Sequence, residues 1–133
     1  MTEQAHTEQP ILLVEDNMLN EMVALGMLRL LGRAATVARN GLEAVEQVHV
    51  QPYAIVLMDV QMPVLDGLEA TRRIRAELPA DRQPYIIALT ANAMAGDEQR
   101  CLAAGMDAYL SKPISRERLA AALAAADGSL AGR

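Results

Sequence analysis

Phenylalanine and tryptophan are absent from the 133 residues, and the only aromatics are Tyr53, Tyr85 and Tyr109. A stacking platform for single-stranded nucleic acid needs more rings than this. Positive charge is also short: 12 Lys and Arg stand against 17 Asp and Glu, a net charge of −5. Duplex binding rests on neutralising phosphates with a basic face, so no nucleic-acid partner is expected. The single cysteine, Cys101, makes neither an internal disulfide nor a cysteine-rich metal site. No apolar run approaches the roughly 18 residues of a membrane span. The first ten residues have neither the basic nor the apolar region of a signal peptide. A cytoplasmic location with no membrane contact is the expectation. What remains is 52% hydrophobic and 22% charged, the composition of a soluble globular chain. Its length suits one domain. Residues 1–9 read as a polar tail, 10–127 as the domain and 128–133 as a second tail.

Short apolar runs alternate with stretches of helical period. The runs are 11–14, 34–38, 53–58, 85–89 and 108–111. The helical stretches are 17–31, 40–49, 67–76, 97–104 and 115 to about 126. Asn40 with Glu43, and Asp66 with Glu69, have capping-box spacing. Asp97 and Ser115 read as caps, and Gly32, Gly105 and Gly128 as helix ends. The first, third and fourth runs are continuously apolar, as strands covered on both faces are. This predicts an α/β fold, doubly wound: a five-stranded parallel sheet with five helices.

In such a sheet, ligands bind outside the carboxyl ends of the strands. Glu15 and Asp16 follow the first run, Asp59 the third, Thr90 the fourth and Lys112 the fifth. The second run ends without comparable chemistry, which suits an edge strand. Three carboxylates at one place repel one another unless a cation lies between them. Mg²⁺ is the fitting ion, because it takes oxygen ligands, keeps waters and accepts phosphate oxygens. With a hydroxyl and an ammonium beside it, such a site suits phosphoryl transfer to a carboxylate nucleophile. Lys112 is the only lysine among the twelve basic residues, a point charge where the rest of the chain uses arginine. Pro113 follows it, a candidate cis peptide that could aim the lysine into the site.

Glu15-Asp16, Asp59 with Met62-Pro63 and Asp66-Gly67, Ala88-Leu89-Thr90-Ala91, and the stretch from Tyr109 to Lys112-Pro113 together resemble the receiver domain of two-component response regulators. The resemblance covers about residues 10–127. The stretches 60–75 and 89–94, with Asp16-Asn17 and Asn20, are most similar to receivers attached to hybrid sensor histidine kinases. The resemblance implies a flavodoxin-like sheet of strand order 2-1-3-4-5. It implies that Asp59 is the phosphoacceptor and that Asp16 and Asp59 bind Mg²⁺. Glu15 would then act mostly through water, and the Gln61 carbonyl as a further ligand. Thr90 and Lys112 would contact the phosphoryl group, with Thr90 and Tyr109 as the switch pair. The readout surface would run over residues 97–126. The implied partners are a histidine kinase or its phosphotransfer domain, and a homodimer through the last helix is left open. Gln61 and Asn92 would tune the lifetime of the acyl phosphate.

Three other functions compete. An aspartyl-nucleophile phosphohydrolase would need a second acid two residues after Asp59, where Gln61 stands, and a cap insertion for which there is no room. A phosphorylation-independent binding module would lack an acid, the hydroxyl or the lysine, and none is missing. A nucleotide-binding protein would need a glycine-rich phosphate loop, which the chain does not contain. The remaining residues read structurally: Cys101 as a small buried hydrophobe, His49 as solvent-facing, and the Met and Leu positions of the first helix as core.

Overall fold

The computed structural model describes residues 10–62, 64–91 and 95–131. The tail 1–9, together with Pro63, Asn92 and Met94 of the motifs above, lies outside the described residues. Five parallel strands form one sheet: β1 (Ile11–Val14), β2 (Ala35–Ala38), β3 (Ile55–Asp59), β4 (Tyr85–Thr90) and β5 (Ala108–Ser111), in the order β2-β1-β3-β4-β5. The helices are α1 (Met18–Leu30), α2 (Gly41–Val50), α3 (Gly67–Glu77), α4 (Ala95–Ala104) and α5 (Arg116–Ala131), with a short 3-10 turn at Ala80–Arg82. The order is the one implied by the resemblance, with β2 at an edge.

Period-two alternation divides the strands between two cores. Leu12, Val14, Val56, Met58, Ile86 and Ala88 face α2, α3 and α4, where Val45, Val48, Ile74 and Cys101 cover them. Ile11, Leu13, Ile55, Leu57, Ile87 and Leu89 face the other way, onto Ala24 and Leu28 of α1 and Leu119 and Leu123 of α5. Every residue of β1 and β3 is buried, which explains their unbroken apolar runs.

The helix starts are fixed by side-chain caps. Asn17, Asn40 and Asp66 accept from the backbone N–H three residues on, at 2.9, 2.9 and 2.8 Å. Ser115 Oγ accepts from Arg118 N at 3.1 Å. The Glu43 carboxylate turns back as a capping box requires, but takes the N–H of Arg39 (2.8 Å), not that of Asn40. Gly32 and Gly105 end their helices with φ of +76° and +109°, where a Cβ is strained.

Three expectations are corrected. α5 does not stop at Gly128 but runs on to Ala131. An interior glycine costs a helix only about 1 kcal/mol, and Leu130 beyond it packs onto the α1–α5 core. Asp97 is not the cap of α4: it lies inside the first turn, and its carboxylate is engaged elsewhere. The Met and Leu positions of α1 are not all core. Only Ala24 and Leu28 are fully buried there, while Met18, Leu19, Met22, Val23 and Leu30 are 47–70% exposed. The helix is apolar around most of its circumference but meets the sheet along one stripe, so the opposite stripe faces outward. Among the described residues, no helix is long and apolar enough to cross a membrane.

Candidate functional site

The carboxyl ends of β1, β3, β4 and β5 converge at one edge of the sheet. Asp59 is the last residue of β3 and is 5% exposed. Glu15 directly follows β1, is 2% exposed, and is tied to the edge strand by its N–H to the Ala38 carbonyl (3.0 Å). Asp16, next in the chain, is exposed. Lys112 follows β5. Its backbone N–H donates to the Thr90 carbonyl at 2.7 Å, which extends the β4–β5 ladder by one bond. The Lys112–Pro113 peptide is cis, as the sequence raised.

The Lys112 ammonium reaches back to both buried acids, 3.3 Å from Glu15 Oε1 and 3.4 Å from Asp59 Oδ2. The other Asp59 oxygen, Oδ1, accepts from the Gln61 N–H at 3.2 Å, and Glu15 Oε2 accepts from Asn17 N–H at 3.3 Å. Burial pushes the Asp59 carboxyl from the ordinary 3.8 up to about 6. The Lys112 ammonium pulls it back part of the way, and the neighbouring Glu15 carboxylate pushes it up again. A buried acid that resists ionisation beside a second acid calls for more positive charge than one lysine supplies.

Glu15, Asp16 and Asp59 each present a carboxylate oxygen within 4.8 Å of the others. Around Mg²⁺, with metal–oxygen distances of about 2.1 Å, neighbouring ligands lie about 3.0 Å apart and opposite ones about 4.2 Å. The three oxygens fit that shell after small inward movements, or with a water standing in for the outermost. Hard oxygen donors suit this ion, and no sulfur or imidazole competes within the cluster.

Thr90 ends β4 and is 4% exposed. Its hydroxyl donates to Asp97 Oδ2 in the first turn of α4, while Arg100 Nη1 lies 3.3 Å from the other Asp97 oxygen. Sequence reasoning missed this use of Asp97. Tyr109 on β5 is half-buried and packs against the α2–α4 core. Beside Glu15 and Lys112 a groove of about 240 Å³ opens, walled by Leu19, Val23, Pro113 and Ile114. It runs onto the exposed stripe of α1. His49, read as solvent-facing, is exposed and bonds Glu77 at 2.8 Å between the C-terminal ends of α2 and α3. Cys101 is buried, and burial raises its thiol pKa, as befits a packing residue.

One glycine holds the floor of the site. A Cβ at Gly67 would overlap the Asp59 carbonyl oxygen and come within 3.0 Å of Val60 Cα. Both obstacles are backbone, so neither can swing aside. The Gly67 N–H donates to the Val60 carbonyl at 2.9 Å, which locks the start of α3 under the acid. Gly67→Ala is expected to cost about 2 kcal/mol in urea unfolding. Gly128→Ala, with open space around its Cβ, is expected to be neutral or slightly stabilising.

The model of the response regulator receiver domain family matches residues 11–124. Histidine kinase 5 of Arabidopsis thaliana is 41% identical over 145 residues, covering 89% of this chain and 16% of that protein. The signal transduction histidine-protein kinase BarA of Escherichia coli K12 is 37% identical, covering 90% of this chain and 13% of that one. The chain thus spans about one-sixth or less of these kinases. Among solved structures, the receiver domain of sensor histidine kinase PA1611 from Pseudomonas aeruginosa PAO1 is 49% identical, with a TM-score of 0.82 and coverage of 91% and 98% of the two chains. That crystal holds a magnesium ion in its active-site cleft. The receiver domain of Saccharomyces cerevisiae Ssk1, crystallised with the histidine phosphotransfer protein Ypd1, is 31% identical, with a TM-score of 0.77 and coverage of 85% and 84%. Sheet order, the acids and lysine at its carboxyl edge, and these likenesses agree: the chain belongs to the response regulator receiver family of two-component phosphorelays.

Proposed function

We propose that Asp59 accepts a phosphoryl group from a phosphohistidine and that the acyl phosphate drives a change of conformation through Thr90 and Tyr109. The observation that carries this is a buried carboxylate, Asp59, 3.4 Å from the lone lysine and clustered with two further acids. An Asp59 oxygen attacks phosphorus, the P–N bond breaks, and the imidazole leaves with the electron pair and takes up a proton. Asp16 and Asp59 would hold Mg²⁺, with Glu15 acting mostly through water and the Gln61 carbonyl as a further ligand. When bound, the ion neutralises charge on the carboxylates and on a phosphoryl oxygen. Lys112 binds a second phosphoryl oxygen, and Thr90 donates to a third. Tyr109 turns inward as Thr90 moves. Water later hydrolyses the acyl phosphate, and the residue types at positions 61 and 92, Gln and Asn, would tune its lifetime.

The exposed stripe of α1 supports a partner that brings its histidine to this edge. Met18, Leu19, Met22 and Val23 form an apolar surface that leads to the groove beside Lys112. A histidine phosphotransfer domain seated there would place its ring over Asp59, and the pairing of the Ssk1 receiver with Ypd1 supports that class of partner. The hydrolase reading fares worse, because the residue two after Asp59 is the amide Gln61 and not an acid.

Incubation with Mg²⁺ and acetyl phosphate, followed by intact mass spectrometry, tests the proposal. One labile phosphoryl adduct is expected, lost in Asp59→Asn and in the presence of a chelator. An adduct that survives Asp59→Asn would assign the acceptor elsewhere. No adduct, with no binding of beryllofluoride either, would leave only a binding module.

A further inference from the structure

A hydroxyl has one proton to give. In this structure the Thr90 hydroxyl gives it to the Asp97 carboxylate, and both residues are buried, at 4% and 7% exposure. The contact joins the end of β4 to the first turn of α4. Arg100 closes the other side of the same carboxylate at 3.3 Å. While that bond stands, Thr90 cannot donate to a phosphoryl oxygen on Asp59.

We infer that Asp97 is a positioning residue that holds Thr90 in the unphosphorylated arrangement, so that phosphorylation must win the Thr90 proton from it. This rests on Asp59 being the phosphoacceptor. The site and α4 are then coupled through one exchange of hydrogen-bond partners. When Thr90 moves to the phosphoryl group, Asp97 keeps only Arg100 and solvent, and the first turn of α4 loses its tie to the sheet. When it returns, the tie re-forms. The two arrangements differ by a discrete bond, which is what a two-state element requires. A carboxylate suits this role better than a cap residue would, because a charged acceptor makes the stronger bond and sets a definite threshold for switching.

Beryllofluoride with saturating Mg²⁺ mimics the phosphoryl group, and its affinity for the whole chain can be titrated by calorimetry. Asp97→Ala is expected to tighten binding about tenfold, the size of a lost competing bond to a charged group, with Asp97→Asn intermediate. In a Thr90→Ala background the same Asp97 substitutions are expected to change affinity less than twofold, because the competition is gone. An Asp97 role confined to the helix end would persist in that background. Without ligand, α4 amide resonances of Asp97→Asn are expected to shift toward their beryllofluoride-bound positions. Unchanged or weaker affinity in both Asp97→Asn and Asp97→Ser, with native circular dichroism, overturns the inference and leaves the phosphoacceptor reading intact. Failure of the unsubstituted chain to bind beryllofluoride overturns both.

Discussion

Lys112→Ala is expected to slow phosphoryl acceptance at Asp59 by about a hundredfold or more. A preorganised donor aimed at developing negative charge is worth about 10²–10³ in rate. Lys112 has that position if Asp59 is the acceptor: its ammonium lies 3.4 Å from the Asp59 carboxylate and is held by the Glu15 carboxylate at 3.3 Å. Its backbone is fixed as well, through the bond to the Thr90 carbonyl. The lysine also pulls the Asp59 pKa down, so its loss leaves the nucleophile more often protonated. Lys112→Arg is expected to recover little. A planar fork does not reproduce a compact charge between two acids and a phosphoryl oxygen. The check is the rate of adduct formation from acetyl phosphate in saturating Mg²⁺, quenched and read by mass. A rate within about threefold of the unsubstituted chain would mean that the ammonium organises the resting site but not the transition state.

The parts of this site that were legible in the sequence share one property. Each stands directly after an apolar run, and an open parallel sheet gathers such positions at one edge. Glu15, Asp16, Asp59, Thr90 and Lys112 needed nothing beyond that rule. The lone lysine added weight because the chain uses arginine elsewhere. The sheet order needed the family resemblance, since the lack of site chemistry after the second run only places β2 at an edge.

What was not legible depends on contacts that sequence spacing does not encode. Asp97 follows Thr90 by seven residues, and its position before a helical stretch looks like a cap. That its carboxylate turns back to the strand end is a property of the folded chain. The apolar stripe of α1 has the composition of a core, and periodicity alone does not say which of two apolar faces is covered. Arg75 shows the same limit in the frame of the fold. In sequence it is one more arginine on α3. In the structure its guanidinium bonds the carbonyls of Gly105 and Pro84 and the side chains of Gln83 and Asp107, all at 2.7–2.8 Å. It thereby ties α3 to the entries of β4 and β5. Gly128 misled in the opposite direction, because a glycine near a helix end was given the weight of a stop when the Leu130 contact outweighs its cost.

In Mg²⁺-free buffer, Asp59→Asn is expected to stabilise the fold by about 2–3 kcal/mol at about pH 7.5 and by little at about pH 4. The Asp59 carboxyl titrates near 3.8 in the unfolded chain and at about 6 in the folded one. Between those values the folded state binds more protons, so stability falls as pH rises. Below 3.8 both states are protonated and nothing is lost. Above about 6 both are ionised, and the folded chain carries the full cost of a buried charge that Lys112 only partly offsets. The amide of Asn has no charge to bury, so its advantage grows over the same interval. Urea unfolding with a chelator at the two pH values measures it. Equal gains at both would assign the effect to packing and not to ionisation. Adding Mg²⁺ is expected to narrow the gap at the higher pH, because a cation bound by the folded chain stabilises the ionised site and the amide holds it less well. A carboxylate that must attack phosphorus has to be ionised and shielded from bulk water at once. If Asp59 is that carboxylate, the expected stability deficit of the free chain is the thermodynamic trace of that requirement.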